Sequence, residues 1–257
     1  MNNDFYSYEN NEDRSSSSLL LSETNVAFAK AFLWMFVGTF ISFIIGLLFS
    51  KVFVNALENE NETFLYGYLF IIIFSFVFQL ILAYKLNKEA LVKVNFKKAL
   101  GLFMIYAILE GVMFACIFSL VSISTLYFVF GAVSVYYLLL AGLSFLLRKK
   151  INGLAGFAFA GLISLIVVSV ISSILLLFFL NDPDMYTNIV LLVLIFGLVV
   201  FSILTIVDIK KMHELIDYSQ NKNAASIAAA FCLYLDFINL FIRLLRLVAI
   251  LSGNRRR

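Results

Sequence analysis

Residues 224–246 read AASIAAAFCLYLDFINLFIRLLR, and the reading of this stretch decides the fold. As a helix it places Ala225, Ala228, Cys232, Asp236, Asn239, Arg243 and Arg246 at steps of three or four, on one stripe. The other faces are Phe, Leu, Ile, Val and Tyr. A charge at the centre of a spanning helix costs at least about 2.5 to 3.5 kcal/mol. The stripe is therefore expected to face protein or a water-filled path rather than lipid, with this helix at the centre of a bundle.

The rest of the chain supplies the bundle. With 257 residues, 63% hydrophobic content, 14% charged residues and a mean hydropathy of +1.00, the protein is too apolar for a soluble domain and too long for a single anchor. A spanning helix needs roughly 20 apolar residues. Stretches of that kind lie at residues 32–50, 64–84, 99–121, 126–147, 154–180 and 188–207, and the opening stretch makes seven. The reading is an all-α membrane protein with a polar, disordered tail over 1–24, a seven-helix transmembrane domain over 25–252 and a basic tail over 253–257. Residues 1–24 carry a Ser run and lack the basic start and cleavage site of a signal peptide. Gly153, Gly156, Gly161 and the serines at 164, 169, 172 and 173 mark the fifth span as the expected close-packing helix, the alternative being glycines scattered without contact meaning.

Loop charges set the orientation. Lys85, Lys88, Lys93, Lys97 and Lys98 follow the second span, Arg148, Lys149 and Lys150 the fourth, and Lys210, Lys211 and Lys222 the sixth. By the positive-inside rule these loops and the N-terminus are cytoplasmic. The intervening loops hold Lys51 with Glu58, Glu60 and Glu62, an uncharged SIST, and NDPD around the only proline, Pro183. The C-terminal Arg255, Arg256 and Arg257 oppose an external C-terminus. Either the last segment re-enters and returns, or seven full spans carry a basic end outside. The net charge of +3 lies in loops and forms no aromatic-interleaved groove, so no nucleic-acid partner is expected. Cys116 and Cys232 sit far apart in apolar stretches and read as small buried hydrophobes rather than a disulfide or zinc site. His213, beside Glu214, reads as a solvated loop histidine.

Three carboxylates fall within or at the edge of the spans: Glu110, Asp208 and Asp236. Lys222, in the turn between the last two spans, is fourteen residues from each aspartate. If both helices reach that turn, the aspartates stand at equal height on antiparallel neighbours, roughly 21 Å from it. At about 5 or 6 Å and an effective dielectric near 20, two carboxylates repel by roughly 3 kcal/mol, so the pair is expected to share a proton not far from neutral pH. Such a pair can sense protons, or it can lend oxygens to a passing hard cation such as Ca²⁺, as an incomplete metal site. The alternative for Asp208 is an interfacial acid paired with Lys210 or Lys211, and for Asp236 a structural partner of Arg243 or Asn239. Glu110 either lines the same path or is a neutral, hydrogen-bonded core acid. Asn239, Arg243 and Arg246 complete a secondary polar path, with snorkelling of the arginines as the alternative.

LYLDFINLFIRLLR over residues 233–246 resembles the C-terminal signature of the Bax inhibitor-1 (transmembrane Bax-inhibitor motif) family, bacterial type, and Val207-Asp208 before Lys210 resembles its sixth-span aspartate motif. The resemblance implies a seven-helix protein, with a central last helix, that leaks Ca²⁺ across a bacterial plasma membrane in a pH-dependent way. It assigns the proton-sensitive pair to Asp208 and Asp236 and the basic residue of the LLR motif to Arg246. Two positions depart from the pattern. Val207 stands where tyrosine is usual, and only Lys85 or Lys88 can replace the second-span arginine, which would loosen a latch built on a bidentate pair.

The partners implied are the lipid bilayer, Ca²⁺ and H⁺. No enzymatic activity and no resident cofactor are expected, Ca²⁺ being transient. An intramembrane aspartyl protease would need a glycine-flanked second aspartate and a proline-containing motif, and the chain has no glycine between Gly197 and Gly253 and no proline after Pro183. A retinal protein would need a lysine in the last span. The remaining rivals are a proton-coupled cation exchanger, using the same carboxylates alternately for Ca²⁺ and H⁺, and a regulatory membrane protein acting through partners.

Overall fold

A computed structural model gives seven long α-helices and, among the described residues, no strand. It describes residues 3–59, 62–147, 151–178 and 183–254, without the surroundings of the side chains at 3–21, 65, 151–155, 175–178, 183 and 254. Arg148, Lys149, Lys150, Glu60, Asn181, Asp182, Arg255, Arg256 and Arg257 lie outside the described residues, and so do the surroundings of Gly153.

The helices are α1 (Asn3–Glu58), α2 (Glu62–Asn87), α3 (Phe96–Ser119), α4 (Ile123–Leu146), α5 (Ile151–Phe178), α6 (Pro183–Tyr218) and α7 (Lys222–Asn254). A π-helical segment, Lys88–Val92, extends α2. Each helix contains a stretch long and apolar enough to cross a membrane, and the protein is a multi-pass helix-bundle membrane protein.

Several helices outrun their apolar stretches. α1 begins at Asn3, so the polar residues expected as a mobile tail continue helically into the first span. No glycine or proline occurs before Gly38 to break the helix. Thr24, placed in that tail by composition, is fully buried. α6 likewise continues past Asp208 through Lys210, Lys211 and His213 to Tyr218. Hydropathy marks where a helix leaves lipid, while its hydrogen-bond ladder continues into water. α7 is uninterrupted over 33 residues, about 50 Å, which is a full crossing and not a re-entrant turn.

Burial separates the helices. The most apolar window of α7 is 78% buried, against 11 to 33% for the other six. α7 packs on α1, α3, α4 and α6. Its core face is aromatic and aliphatic: Phe231, Tyr234, Phe237 and Phe241 meet Phe103, Tyr137, Phe130 and Phe43 edge-on or tilted, at centroid distances from 5.4 to 6.3 Å. Ser42 joins three helices, donating to the Ala107 carbonyl at 2.7 Å and meeting the Tyr234 hydroxyl at 2.8 Å.

The close-packing helix is not the fifth. α5 has the least buried window, nothing lies near Gly156, and at Gly161 an added Cβ would only touch Val200 at 3.4 Å. The tight seam is α1 against α3. A Cβ on Gly111 would meet the Ser42 carbonyl oxygen and the Ile45 Cβ, each at 2.7 Å, and one on Gly46 would meet the Phe118 ring at 2.8 Å. Small residues permit close approach only where a neighbour's knobs fill the notch. The large rings of α3 do so, whereas on α5 Gly156 meets no neighbour and Gly161 makes only ordinary contact with Val200.

Candidate functional site: a buried carboxylate pair

α6 and α7 form an antiparallel hairpin around residues 219–221. Asn221 caps α7, its side-chain oxygen accepting from the Ala224 amide at 3.1 Å. The start of α1 fastens the hairpin. Thr24 donates to Asp217 at 2.9 Å and accepts from Lys222 at 2.7 Å, and Lys30 donates to Asn223 at 2.8 Å. Between α1 and α6, His213 is buried rather than solvated. Its ring packs edge-on to Phe28 at 5.0 Å, and its Nε2 lies 3.3 Å from the Asn25 side-chain oxygen. Three residues of helix beyond Lys210 were enough to carry it back under α1.

With the hairpin held this way, positions equidistant from Lys222 face each other. Asp208 and Asp236 meet there, and Cys232, one turn before Asp236, joins them: one ligand atom from each lies within 4.8 Å of the others. Arg243 and Phe201, each twenty-one residues from Lys222, also meet, the guanidinium carbon standing 4.6 Å from the ring centroid. The polar stripe of α7 thus turns toward α6.

The two aspartates have unlike surroundings. Asp236 is 6% exposed, and its Oδ2 is buried without a hydrogen-bond partner. The Asp208 side chain is 23% exposed, with Lys211 3.9 Å away on the same helix. That lysine is half in solvent, so its attraction is weak and screened. The fully buried Tyr137 ring stands within electrostatic reach of both carboxylates, and its hydroxyl donates to the Leu233 carbonyl at 3.2 Å. An unpaired buried acceptor is costly, whereas a proton or cation between the carboxylates would satisfy it. Two carboxylates and a thiol offer too few oxygens for a full Ca²⁺ shell of six to eight, so any hard cation would keep water there. Cys232 was legible as a member of the stripe. Reading it by its apolar neighbours instead of by its place one turn from Asp236 hid its part in the cluster.

The remaining polar residues fall elsewhere. Glu110 on α3 accepts from the Gln79 amide of α2 at 2.8 Å and is not part of the aspartate cluster. Asn239 donates to the Leu235 carbonyl of its own helix at 2.9 Å. Arg243 and Arg246 border a cleft between α5, α6 and α7. Lys85 and Lys88 line a separate crevice between α2 and α3, with Lys93 and Lys98. Among the described residues the ion pair to Asp208 comes from Lys211, and neither Lys85 nor Lys88 lies within ion-pair distance of it in this structure.

Comparison with known proteins agrees with this architecture. A family described as "Inhibitor of apoptosis-promoting Bax1" matches residues 24–255. An uncharacterized protein of Borreliella burgdorferi is 30% identical over 218 residues, covering 82% of this chain and 88% of that one. The inner membrane protein YbhL of Escherichia coli is 32% identical over 167 residues, 60% of this chain and 63% of its own length. An uncharacterized protein of Rickettsia prowazekii is 32% identical over 64% of this chain and 65% of its own. The match from Thr24 through the last helix takes in both aspartates and the whole hairpin, and the chain belongs to the Bax inhibitor-1 family of membrane proteins.

Proposed function

We propose that the protein is a pH-sensitive cation leak of a bacterial inner membrane, passing Ca²⁺ down its gradient, with Asp208 and Asp236 as the proton-sensitive element of the path. The observation that carries this reading is the buried, unpartnered Oδ2 of Asp236 within a cluster that holds a second carboxylate. With both groups ionised the pair attracts a cation and repels itself. With one proton added, the charge falls and a carboxyl–carboxylate hydrogen bond draws α6 and α7 together. Flux should therefore rise with pH and fall as the pair takes up its proton. On this reading protons and hydrated ions reach the dry Asp236 from the side of the partly exposed Asp208.

The loop lysines support a cytoplasmic N-terminus and a cytoplasmic 219–221 turn, which puts the pair in the cytoplasmic half of the bundle. Purified protein in liposomes, assayed for Ca²⁺ entry with and without an imposed proton gradient, tests the reading. A leak passes Ca²⁺ only downhill, at a rate set by pH on the sensing side. Uphill accumulation driven by the proton gradient would replace it with exchange, and the absence of any Ca²⁺ flux would leave the regulatory reading.

A further inference from the structure

The cleft between α5, α6 and α7 has about 570 Å³ of space and two unlike walls. Val190, Val193, Leu194, Ala249 and Ile250 line it with aliphatic surface, and Ser172, Ser173, Arg243 and Arg246 bring hydroxyls and cations. Among the described residues, no carboxylate lies within ion-pair distance of either guanidinium. Two cations three residues apart on one stripe of a membrane-spanning helix repel each other and call for an anion.

The seat of Arg243 is shaped for its side chain. Gly197 leaves the room it occupies, since a Cβ there would stand 2.6 Å from the guanidinium carbon, while the Phe201 ring holds the cation from below. A side chain merely reaching for bulk water needs neither the notch nor the ring.

Depth selects the ligand. Arg243 and Arg246 lie twenty-one and twenty-four residues beyond Lys222, roughly 32 to 36 Å along the helix. Gly197 and Phe201 hold Arg243 within the apolar 188–207 stretch, and from there the cleft runs past Val193 and Val190 to Tyr186 and Ile250 near the ends of α6 and α7. It therefore opens toward the leaflet opposite the 219–221 turn, with the arginines at its inner end. Planar guanidiniums match phosphate oxygens with paired hydrogen bonds, and the aliphatic wall suits the start of an acyl chain.

We infer that this cleft binds a phosphate group, presented as the headgroup of an anionic glycerophospholipid. The inference does not depend on what the aspartate pair conducts.

Native mass spectrometry of the full-length protein, titrated with phosphatidylglycerol or zwitterionic phosphatidylcholine, tests it. The wild type should retain one phosphatidylglycerol in preference to phosphatidylcholine. R243Q and R246Q should each weaken that retention by about fivefold, and the double variant should bring the two lipids to parity. G197A, which displaces the guanidinium, should weaken it as well. The R243K/R246K variant, which keeps charge and fold but loses the fork, should fall between. K85Q/K88Q, in the other basic crevice, should leave retention unchanged. Undiminished retention by both R243Q/R246Q and R243K/R246K would overturn the site, and so would loss in K85Q/K88Q alone. Should inorganic phosphate bind and displace the lipid at comparable concentration, the ligand is a soluble phosphate and the lipid assignment fails.

Discussion

The α1–α3 seam and the α6–α7 seam both carry acidic residues through an apolar bundle, and they treat them oppositely. Along α1–α3, notches at Gly46 and Gly111 are filled and Ser42 has partners on two other helices, and Glu110, beside Gly111 on the α2 side of α3, takes a hydrogen bond from Gln79. Along α6–α7, Asp236 is as dry as the core yet keeps an oxygen without a partner, facing Asp208 and Cys232. A satisfied polar group rigidifies, and an unsatisfied one holds free energy that a proton or ion can release. The first seam therefore reads as scaffold and the second as the moving or binding part.

The largest effect should come from locking the second seam. In a C116S background, D208C places a thiol beside native Cys232, and mild oxidation should convert most of the protein to an internally bridged form, provided the Cα atoms come within roughly 7 Å. Mass measurement before and after reduction reads the bridge. A failure to bridge, even with short bifunctional cross-linkers, would mean that the two helices do not face each other at this level.

The first seam should break on a single methyl group. G111A drives a Cβ against the Ser42 carbonyl and should cost about 1 to 3 kcal/mol in thermal or denaturant unfolding, while G156A, with open space around it, should stay within about 0.5 kcal/mol. Equal costs would dissolve the contrast between α1–α3 and α5.

Opposite signs are expected at the two acids. E110A strands the Gln79 amide and should lose about 1 to 3 kcal/mol. D236N replaces a buried repelling carboxylate with an amide that can donate to Asp208, so it should be neutral or gain up to about 1 kcal/mol. Such a gain alongside lost activity is the usual mark of a functional site. K211Q should also change little. Its pair with Asp208 is long and half in solvent, so stability should shift by less than about 1 kcal/mol.

Much of this contrast was legible in the sequence. The stripe on α7 and the equal spacing of Asp208 and Asp236 from Lys222 needed only helical periodicity and a short turn. Packing partners were not legible. Glycines in α5 looked like a close-packing face because composition cannot say which notch a neighbour fills, and the tight notches at Gly46 and Gly111 look no different in the sequence. His213 looked solvated because its local neighbours are charged, whereas α1, nearly two hundred residues earlier, covers it. Cys232 and the cleft beneath Arg243 share that cause. Each acquires its chemistry from a partner helix, Asp208 in one case, Gly197 and Phe201 in the other.

The central claim is that proton sensitivity belongs to the α6–α7 seam and not to buried acids in general. It is tested most directly by Ca²⁺ entry into liposomes, followed from mildly acid to mildly alkaline pH, for the wild type, D236N, D208N and E110Q in parallel. Wild type and E110Q should show flux that climbs with pH, and D236N and D208N should each give a flattened profile. Contradiction would be both asparagine variants keeping the wild-type profile, or E110Q alone losing it.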